Sequence, residues 1–365
     1  MTLRERFAAE LPGHYFLDDD VEGLRAYLTE QDVIKGGGLL RRAEAVKLAG
    51  VLEGGNMNRV QRVVFGVPGR KPSPAVRRGS VIVKQARPWV ERYPAIAAPV
   101  SRARAEAKYF QLVGLVPELA QHSPALLHHD GANHVLVLED LSRGADLSRL
   151  YTSGSPDETL GDGHTVLETL VAYLNRLHAH FRENPPARPL ANKAMRALNH
   201  EHVFALPFRE NNGLDLEAFH AGLTELAAGV VDDALRERTR ALGERYLDLR
   251  AGGTLLHGDF HFGSALVSPG AEGGDALYVI DPEFAFTGPA EYDFGVLAAH
   301  LHLSGHGEAA TRARQLYVGE LDDRLWRGYA GTEILRRLLG VAQLPLAPDA
   351  DWRTLLQRGR ELALS

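Results

Sequence analysis

Three acidic side chains in the C-terminal half of the sequence have the types and spacing that metal binding and proton transfer would need. Asp259 follows the apolar run 255–256, and Asp281 and Glu283 follow the apolar run 278–280. A strand that stops at a carboxylate leaves it at a sheet edge, where a ligand can reach it. Converging carboxylates repel one another unless a cation lies between them, and a divalent metal with a polyphosphate commonly fills that role. The pattern predicts phosphoryl transfer, in which Asp259 handles the proton of an attacking hydroxyl and Asp281 and Glu283 hold Mg²⁺.

A second interpretation of the same stretch is a metal-dependent hydrolase. The string HGDFH, residues 257–261, could supply histidine and aspartate ligands to zinc or iron. Its further ligands would come from His300, His302 or His306. In the kinase interpretation His257 instead braces the catalytic loop. Asp293 would then hold the backbone of this loop and cap the helix that follows it.

The N-terminal half contains a lysine that suits the binding of phosphates. Lys84 ends the apolar strand 81–83, about thirty residues after the hairpin glycines Gly54 and Gly55. Glycines at such a turn let the backbone approach a phosphate closely, although a purely structural hairpin fits as well. A kinase would use Lys84 to hold the α- and β-phosphates and pair it with a helix glutamate, either Glu106 or its rival Glu91. The alternative is a lysine that reaches solvent from the strand end.

The two motifs HGDFHFGSALV and VIDPEFAFTGPAEYDFG together resemble those of the aminoglycoside-phosphotransferase-like kinases. Within that superfamily they are most similar to the 5-methylthioribose kinase family, whose motifs read approximately HGDLHTGS and DPEFAFxGPxxxD. The resemblance implies an α+β fold of the bilobal protein-kinase-like type. It places a mainly β, ATP-binding N-terminal lobe with introductory helices at residues 1–142. A mainly helical lobe that carries catalysis and the substrate site follows at residues 143–365.

The same resemblance assigns further site residues. The loop at Gly54, Gly55 and Asn56 would contact ATP. The hinge after strand 135–138, with Glu139 and Leu141, would bind adenine through backbone groups. Where most kinases have a metal-binding asparagine, this chain has Ser264. Glu283 would supply an anionic oxygen that replaces the missing contact with the metal.

An arginine pair and a phenylalanine bear on the acceptor. Arg336 and Arg337 would contact the hydroxyls of a sugar and stabilise charge during transfer. Spacing alone favours two surface arginines in ion pairs. Phe262 stands where the family has threonine, which predicts a reshaped sugar pocket. The segment 185–208 is predicted to be a loop, and the sequence alone does not decide whether it borders this pocket.

The implied enzyme is an ATP-dependent, Mg²⁺-requiring phosphotransferase whose acceptor is an alcohol group. Its expected reaction converts 5-methylthioribose to 5-methylthioribose 1-phosphate in methionine salvage. Kinases of a deoxyribose-type sugar, an aminoglycoside, choline or homoserine differ from it only in the residues of the pocket and remain open. A nucleotide-binding protein without catalysis is a further alternative, which the intact carboxylate set disfavours.

Composition narrows the class of protein and its partners. The chain has 365 residues, which suggests two to three domains, and a formal net charge of −6, which argues against nucleic acid or an anionic membrane as a partner. It has no cysteine, which excludes disulfides and thiolate metal sites. It lacks an apolar signal core and any run of about 18 apolar residues. We expect a cytoplasmic protein, and the resemblance implies a homodimer.

Overall fold

The computed structural model of the chain describes residues 2–31, 33, 45–51, 57–66, 80–141, 144–248, 252–270 and 274–365. Backbone contacts divide the chain into two compact units, Met1–Ser142 and Arg143–Ser365. Most strands lie in the first unit and most helices in the second. This mixture confirms the predicted α+β class.

The first unit is built on an antiparallel sheet. Its described strands occur in the order β1-β2-β3-β7-β6. Asp20 caps the second helix, because its carboxylate accepts a hydrogen bond from Gly23 N at 3.1 Å. The elements of this unit are the helices α1 (Leu3–Glu10), α2 (Val21–Glu30), α3 (Arg102–Val113) and α4 (Pro117–Ala120) and the strands β1 (Ala45–Val51), β2 (Arg59–Gly66), β3 (Ser80–Gln85), β4 (Trp89–Val90), β5 (Tyr93–Ala97), β6 (Leu126–Asp130) and β7 (Val135–Glu139).

The alternation of side chains along β3 positions Lys84. Val81 and Val83 are buried in a core cluster that also contains Leu24 and Leu28 of α2. Successive side chains of a strand point to opposite faces, so Lys84 points away from this cluster. Helix α3 packs against β6 and β7. The lysine is therefore held in the interior of the unit by a second layer rather than reaching solvent.

The second unit consists of helices around short strands. Strand β9 pairs with β12, and β10 pairs with β11 and β8, all antiparallel. Thr165 and Glu168 form a capping box at the start of α5. The elements are β8 (Ala145–Asp146), α5 (Val166–Glu183), α6 (Lys193–His200), α7 (Leu223–Val230), α8 (Asp233–Leu247), β9 (Thr254–Leu256), β10 (Ala265–Pro269), β11 (Asp275–Val279), β12 (Phe286–Gly288), α9 (Glu291–Leu303), α10 (Gly307–Leu316), α11 (Asp323–Leu339) and α12 (Trp352–Leu364).

The prediction of a loop over residues 185–208 is wrong for most of that segment. Helix α6 continues into a π-helical turn, Glu201–Ala205, and a 3₁₀ turn, Leu206–Phe208. Met195, Val203 and Phe204 are buried there. Burial of these side chains explains the helix, whereas the prolines that suggested a loop lie before it.

Helices α9 and α11 pack closely and bring their polar residues together. An added Cβ at Gly295 of α9 would lie 2.8 Å from the carbonyl oxygen of Trp326 in α11, so a glycine is needed at this crossing. This approach places His300 of α9 beside Glu333 of α11. In the described parts of the chain, no helix combines the length and the apolar character that crossing a membrane would need.

Candidate active site

The catalytic loop follows β9 and is anchored by Asp293. The two carboxylate oxygens of Asp293 accept hydrogen bonds from the backbone N–H groups of His257, at 2.7 Å, and Gly258, at 2.9 Å. His178 of α5 lies behind this carboxylate, with Nε2 3.4 Å from Oδ2. Asp293 thus binds the backbone of this loop, as predicted. It does not form the predicted helix cap, because α9 begins at Glu291 and Asp293 lies within its first turn.

Gly258 and His257 give the loop its sharp path. Gly258 has a φ of +85°, and a Cβ there would lie 2.2 Å from the carbonyl oxygen of Phe284. The Nε2–H of buried His257 donates to Ile280 O at 2.8 Å, and its Nδ1 faces the N–H of Asp259 at 3.3 Å. Burial lowers the pKa of His257, which favours this neutral tautomer. His257 therefore braces the loop, as predicted.

Asp259 lies at the end of this loop, and both of its oxygens face donors. Nη2 of Arg336 and Nη2 of Arg337 each lie 3.4 Å from Oδ1. Nε2 of His261 lies 3.3 Å from Oδ2. The Nδ1 of His261 accepts from Gly263 N at 2.9 Å, so its proton resides on the nitrogen that faces Asp259. The aspartate side chain is still 23% exposed, so an acceptor can reach it.

These neighbours determine the ionisation of Asp259. Burial alone would raise the pKa of the carboxyl group. His261 and the two arginines outweigh burial and hold the pKa below the usual value for aspartate. Asp259 is therefore a carboxylate at neutral pH. It can accept a hydrogen bond from a substrate hydroxyl and orient that hydroxyl.

The arginine pair is buried, so the alternative of two surface arginines is wrong. Arg336 and Arg337 lie in the last turn of α11 and are each 7% exposed. Their Nε atoms donate to different oxygens of Glu333, at 2.7 Å from Arg336 and 2.8 Å from Arg337. The two guanidinium groups, predicted to bind the substrate, thereby converge on Asp259.

Glu333 and Tyr151 were missed at the sequence level, and His300 was named only as a metal ligand in the hydrolase interpretation. Nε2 of His300 lies 3.0 Å from Oε1 of Glu333, and Nδ1 of His300 contacts the hydroxyl of Tyr151. Phe262 is fully buried and packs on Tyr151 with ring centroids 5.3 Å apart. Phe262 thus supports this network from behind. The spacing of Glu333, three and four residues before the arginines, was an available signal, whereas nothing in the sequence links Tyr151 to His300.

A backbone hydrogen bond links the segments that carry the predicted metal ligands. Ser264 lies just before β10, and Asp281 and Glu283 follow β11. Ser264 Oγ donates to Asp259 O at 2.8 Å, and Ser264 O accepts from Ile280 N at 2.9 Å. Asp281 comes next and has a φ of +60°, in a region that residues other than glycine rarely adopt. Glu283 lies in the 3₁₀ turn Pro282–Phe284 and is buried. The fold therefore ties the segment of Asp281 to the loop of Asp259.

In the first unit, Lys84 pairs with Glu106. Its Nζ lies 2.8 Å from Oε1, and the two side chains are 3% and 1% exposed. The rival Glu91 instead receives hydrogen bonds from Arg87, at 2.8 and 2.9 Å. The predicted lysine–glutamate pair is present, and the alternative of a lysine in solvent is wrong.

Five further residues were predicted to contact ATP: Glu139 and Leu141 at the end of β7, and Gly54, Gly55 and Asn56. Glu139 N donates to Ala125 O at 2.9 Å, and its carboxylate accepts from Ala125 N at 3.2 Å. Leu141 is half-buried. Gly54, Gly55 and Asn56 lie outside the described residues.

Comparison with known proteins decides the family. The model of the phosphotransferase enzyme family known as APH matches residues 78–338. The chain belongs to this phosphotransferase family. It is accordingly an ATP-dependent kinase that acts on an alcohol group.

Individual relatives agree with this assignment. The chain is 29% identical over 370 residues to a methylthioribose kinase of Pectobacterium carotovorum subsp. carotovorum, covering 85% of this chain and 86% of that one. It is 28% identical over 415 residues to a methylthioribose kinase of Pectobacterium atrosepticum, covering 95% and 93%. The structure of Plasmodium vivax ethanolamine kinase covers 99% of this chain and 90% of that one, with a TM-score of 0.51 at 13% identity. That likeness confirms the protein-kinase-like fold.

The donor set of this phosphotransferase suits magnesium rather than a histidine-bound metal. Asp281, Glu283 and Ser264 offer oxygen atoms, which are the ligands of Mg²⁺. Over the described ranges, no group of three or more histidine, aspartate and glutamate side chains is arranged to hold a metal. Mg²⁺ in kinases needs only one or two carboxylates, because substrate phosphates and water complete its shell. The two ring nitrogens of His257 are already used within the protein, so the hydrolase interpretation loses its first ligand.

Proposed function

We propose that this phosphotransferase transfers the γ-phosphate of ATP to the anomeric hydroxyl of 5-methylthioribose and forms 5-methylthioribose 1-phosphate. The observation that carries the proposal is the convergence of Arg336 and Arg337 on Oδ1 of Asp259. It sets two planar donors beside the catalytic carboxylate, where a neutral sugar with several hydroxyls would bind. The relatives named methylthioribose kinase support the choice of sugar.

Asp259 has the role of orienting the acceptor in this proposal. The ionised carboxylate accepts a hydrogen bond from the anomeric hydroxyl, and the sugar oxygen attacks the γ-phosphorus. The bond between the γ-phosphorus and the β–γ bridging oxygen breaks, ADP leaves, and the hydroxyl proton passes to Asp259 and then to water. Since the low pKa of Asp259 makes it a weak base, its main contribution is orientation, which suits a loose phosphoryl-transfer transition state.

The arginines bind the sugar and select against cations. A guanidinium group presents rigid, planar N–H donors, which suit neighbouring hydroxyls and the oxygens of a phosphoryl group in transfer. The same two side chains offer N–H donors to hydroxyls and no acceptor to an ammonium group such as those of an aminoglycoside. This difference favours a neutral sugar among the acceptors that the family motifs leave open.

The ATP side of the site uses the residues named from the sequence. Lys84, oriented by Glu106, holds the α- and β-phosphates, and Gly54, Gly55 and Asn56 contact ATP. Backbone groups at Glu139 and Leu141 bind adenine. Asp281 and Glu283, with Ser264, would hold Mg²⁺, which would supply positive charge to balance that of the phosphates.

The proposal also places the protein in its setting. The proposed reaction belongs to methionine salvage. A soluble, cytoplasmic homodimer that binds neither nucleic acid nor membrane fits this role.

Identification of the product tests the proposal. The enzyme is incubated with Mg–ATP and 5-methylthioribose, and the products are followed by ³¹P NMR. We expect a new phosphate signal that couples to the anomeric proton, together with ADP, and no such signal with Asp259→Asn. A phosphate on the 2- or 3-hydroxyl, or ADP without a sugar phosphate, would overturn the proposal.

A further inference from the structure

Glu333, like Asp259, contacts both arginines of the pair. Its Oε2 accepts from Arg336 Nε at 2.7 Å and its Oε1 accepts from Arg337 Nε at 2.8 Å. The glutamate is 1% exposed, so these are charge-assisted hydrogen bonds in a dry environment. An unpaired carboxylate at this depth would be costly, and the two arginines offset that cost.

Geometry shows why the arginines need such a residue. Consecutive side chains on a helix diverge by about 100°, so two adjacent arginines do not naturally share a target. Glu333 lies three residues before Arg336 and four before Arg337, on the face of α11 between them. Because each guanidinium group is planar and rigid, the bond from its Nε to Glu333 also restrains the position of its Nη2 atom. Both Nη2 atoms meet Asp259 Oδ1.

A second layer holds Glu333 in place. His300 donates from Nε2 to Oε1 at 3.0 Å, and the hydroxyl of Tyr151 donates to Nδ1 of His300. Burial lowers the pKa of His300 to about 3, so the ring is neutral and its single proton faces the glutamate. His261 stacks on His300 with ring centroids 5.0 Å apart. His300 thereby adds a third partner to the carboxylate of Glu333, on the same oxygen that accepts from Arg337 Nε.

The balance of charges also indicates that the two arginines need Glu333. The two arginines carry two positive charges, and Asp259 and Glu333 carry two negative ones. Without Glu333, one aspartate would face two adjacent guanidinium groups, which would repel each other and draw the carboxylate away from the acceptor. With Glu333 in place, the arginines are neutralised from behind and keep their outer N–H groups for Asp259 and the substrate.

We propose that Glu333 is a positioning residue of the phosphotransfer site, which aims Arg336 and Arg337 at the acceptor and is itself held by His300 and Tyr151. The inference rests on the proposed role of the arginines in binding the acceptor. It assigns to Glu333 no contact with substrate. Its effect is transmitted through the two guanidinium groups.

The variant that tests this is Glu333→Gln, which keeps the size of the side chain and removes its charge. The Nε–Hε signals of Arg336 and Arg337 are followed by ¹⁵N NMR and assigned with Arg336→Lys and Arg337→Lys. We expect both signals to shift or broaden, the KM for the acceptor to rise at least about tenfold, and the KM for ATP to stay within about twofold. The matched control is Glu237→Gln, which breaks an exposed ion pair with Arg240 at the same three-residue spacing and should change neither readout.

Two outcomes would overturn the proposal. One is Nε signals and an acceptor KM like those of the unmodified enzyme. The other is unchanged Nε signals with a loss of kcat that only follows the loss of folded protein. If Glu333→Gln fails to fold, Tyr151→Phe decides, because it removes only the hydroxyl that holds His300. It should raise the acceptor KM about threefold and shift the Arg337 signal, and no change in either would contradict the proposal.

This test separates the inference from the proposed substrate. The Nε signals need no acceptor at all, so they report on Glu333 even if 5-methylthioribose proves to be the wrong sugar. In that case the unmodified enzyme would show no turnover of 5-methylthioribose. The KM comparison would then use whichever alcohol the enzyme does phosphorylate.

Discussion

Arg337 and Asp259 are 78 residues apart in the chain, and Nη2 of the arginine lies 3.4 Å from Oδ1 of the aspartate. The end of α11 is thereby tied to the loop that follows β9. At this distance the contact is weaker than an ideal charge-assisted hydrogen bond, which is usually about 2.7–2.9 Å. A long contact leaves the guanidinium group able to turn toward a substrate oxygen. We therefore expect the distance between Arg337 and Asp259 to change when an acceptor binds.

Substitution of Asp259 tests its role in orientation. Asp259→Asn keeps the shape but loses the charge that faces both arginines and His261. We expect kcat to fall by roughly 10²–10⁴-fold, since the hydroxyl loses its oriented acceptor, while ATP binds as before. Turnover would be measured by ADP release and ATP affinity by calorimetry. Lost ATP affinity with unchanged turnover would contradict the role assigned to this residue.

Substitution of Arg337 tests the need for a planar donor. Arg337→Lys keeps the charge but replaces the guanidinium fork, whose Nε holds Glu333 while Nη2 faces Asp259. We expect kcat/KM for the acceptor to fall by roughly 10²-fold, with the KM for ATP unchanged. The control is Arg327→Lys, an exposed arginine of the same helix. Equal kinetics for the two variants would show that charge alone suffices.

The buried pair of Lys84 and Glu106 predicts a large effect on stability. Glu106→Gln leaves the ammonium group without its negative partner, and breaking one side of a buried pair costs roughly 3–5 kcal/mol. We expect a lower midpoint in urea and weaker binding of ATP, because Lys84 is no longer held in one direction. The exposed Glu22→Gln in α2 serves as the control. A variant as stable as the unmodified protein, with normal ATP affinity, would count against this account.

Sequence reasoning named the charged residues of the candidate site but not all of the residues that hold them in place. Asp259 and Asp281 could be placed because apolar runs that stop at a carboxylate are a local signal, and Lys84 could be paired with Glu106 because a strand lysine needs a buried partner. The role of His300 and Tyr151 beside Glu333 could not be predicted, since these contacts arise only when α9, α11 and the turn at Leu147–Tyr151 pack together. The helix at Lys193–His200 was missed because neighbouring prolines outweighed a short apolar pattern that tertiary packing completes.

The neutral state of His300 predicts a dependence of stability on pH. Burial lowers the pKa of His300 from 6.5 to about 3, although Glu333 opposes the shift and Arg337 and His261 add to it. Between these two values the unfolded chain binds a proton that the folded chain does not, so stability falls as the pH is lowered through this window. From pH 7.5 to 5.5 this single group should cost about 1.4 kcal/mol.

His300→Gln isolates that contribution. The variant is expected to be less stable at every pH because it loses contacts to Glu333 and Tyr151, but its stability should decline less between pH 7.5 and 5.5. Urea midpoints at the two pH values provide the comparison, with the exposed His164→Gln as the control. The same pH slope in His300→Gln and the unmodified protein would exclude a buried, neutral His300.

The most direct test of the central claim is a comparison of kcat/KM for a set of acceptors with Mg–ATP. The set contains 5-methylthioribose, 5-deoxyribose, ribose, an aminoglycoside, choline and homoserine. We predict that 5-methylthioribose has the highest value and that the cationic acceptors have the lowest, because the proposed arginine contacts would offer N–H donors to hydroxyls and no acceptor to an ammonium group. A higher value for any other acceptor in the set would contradict the proposed substrate.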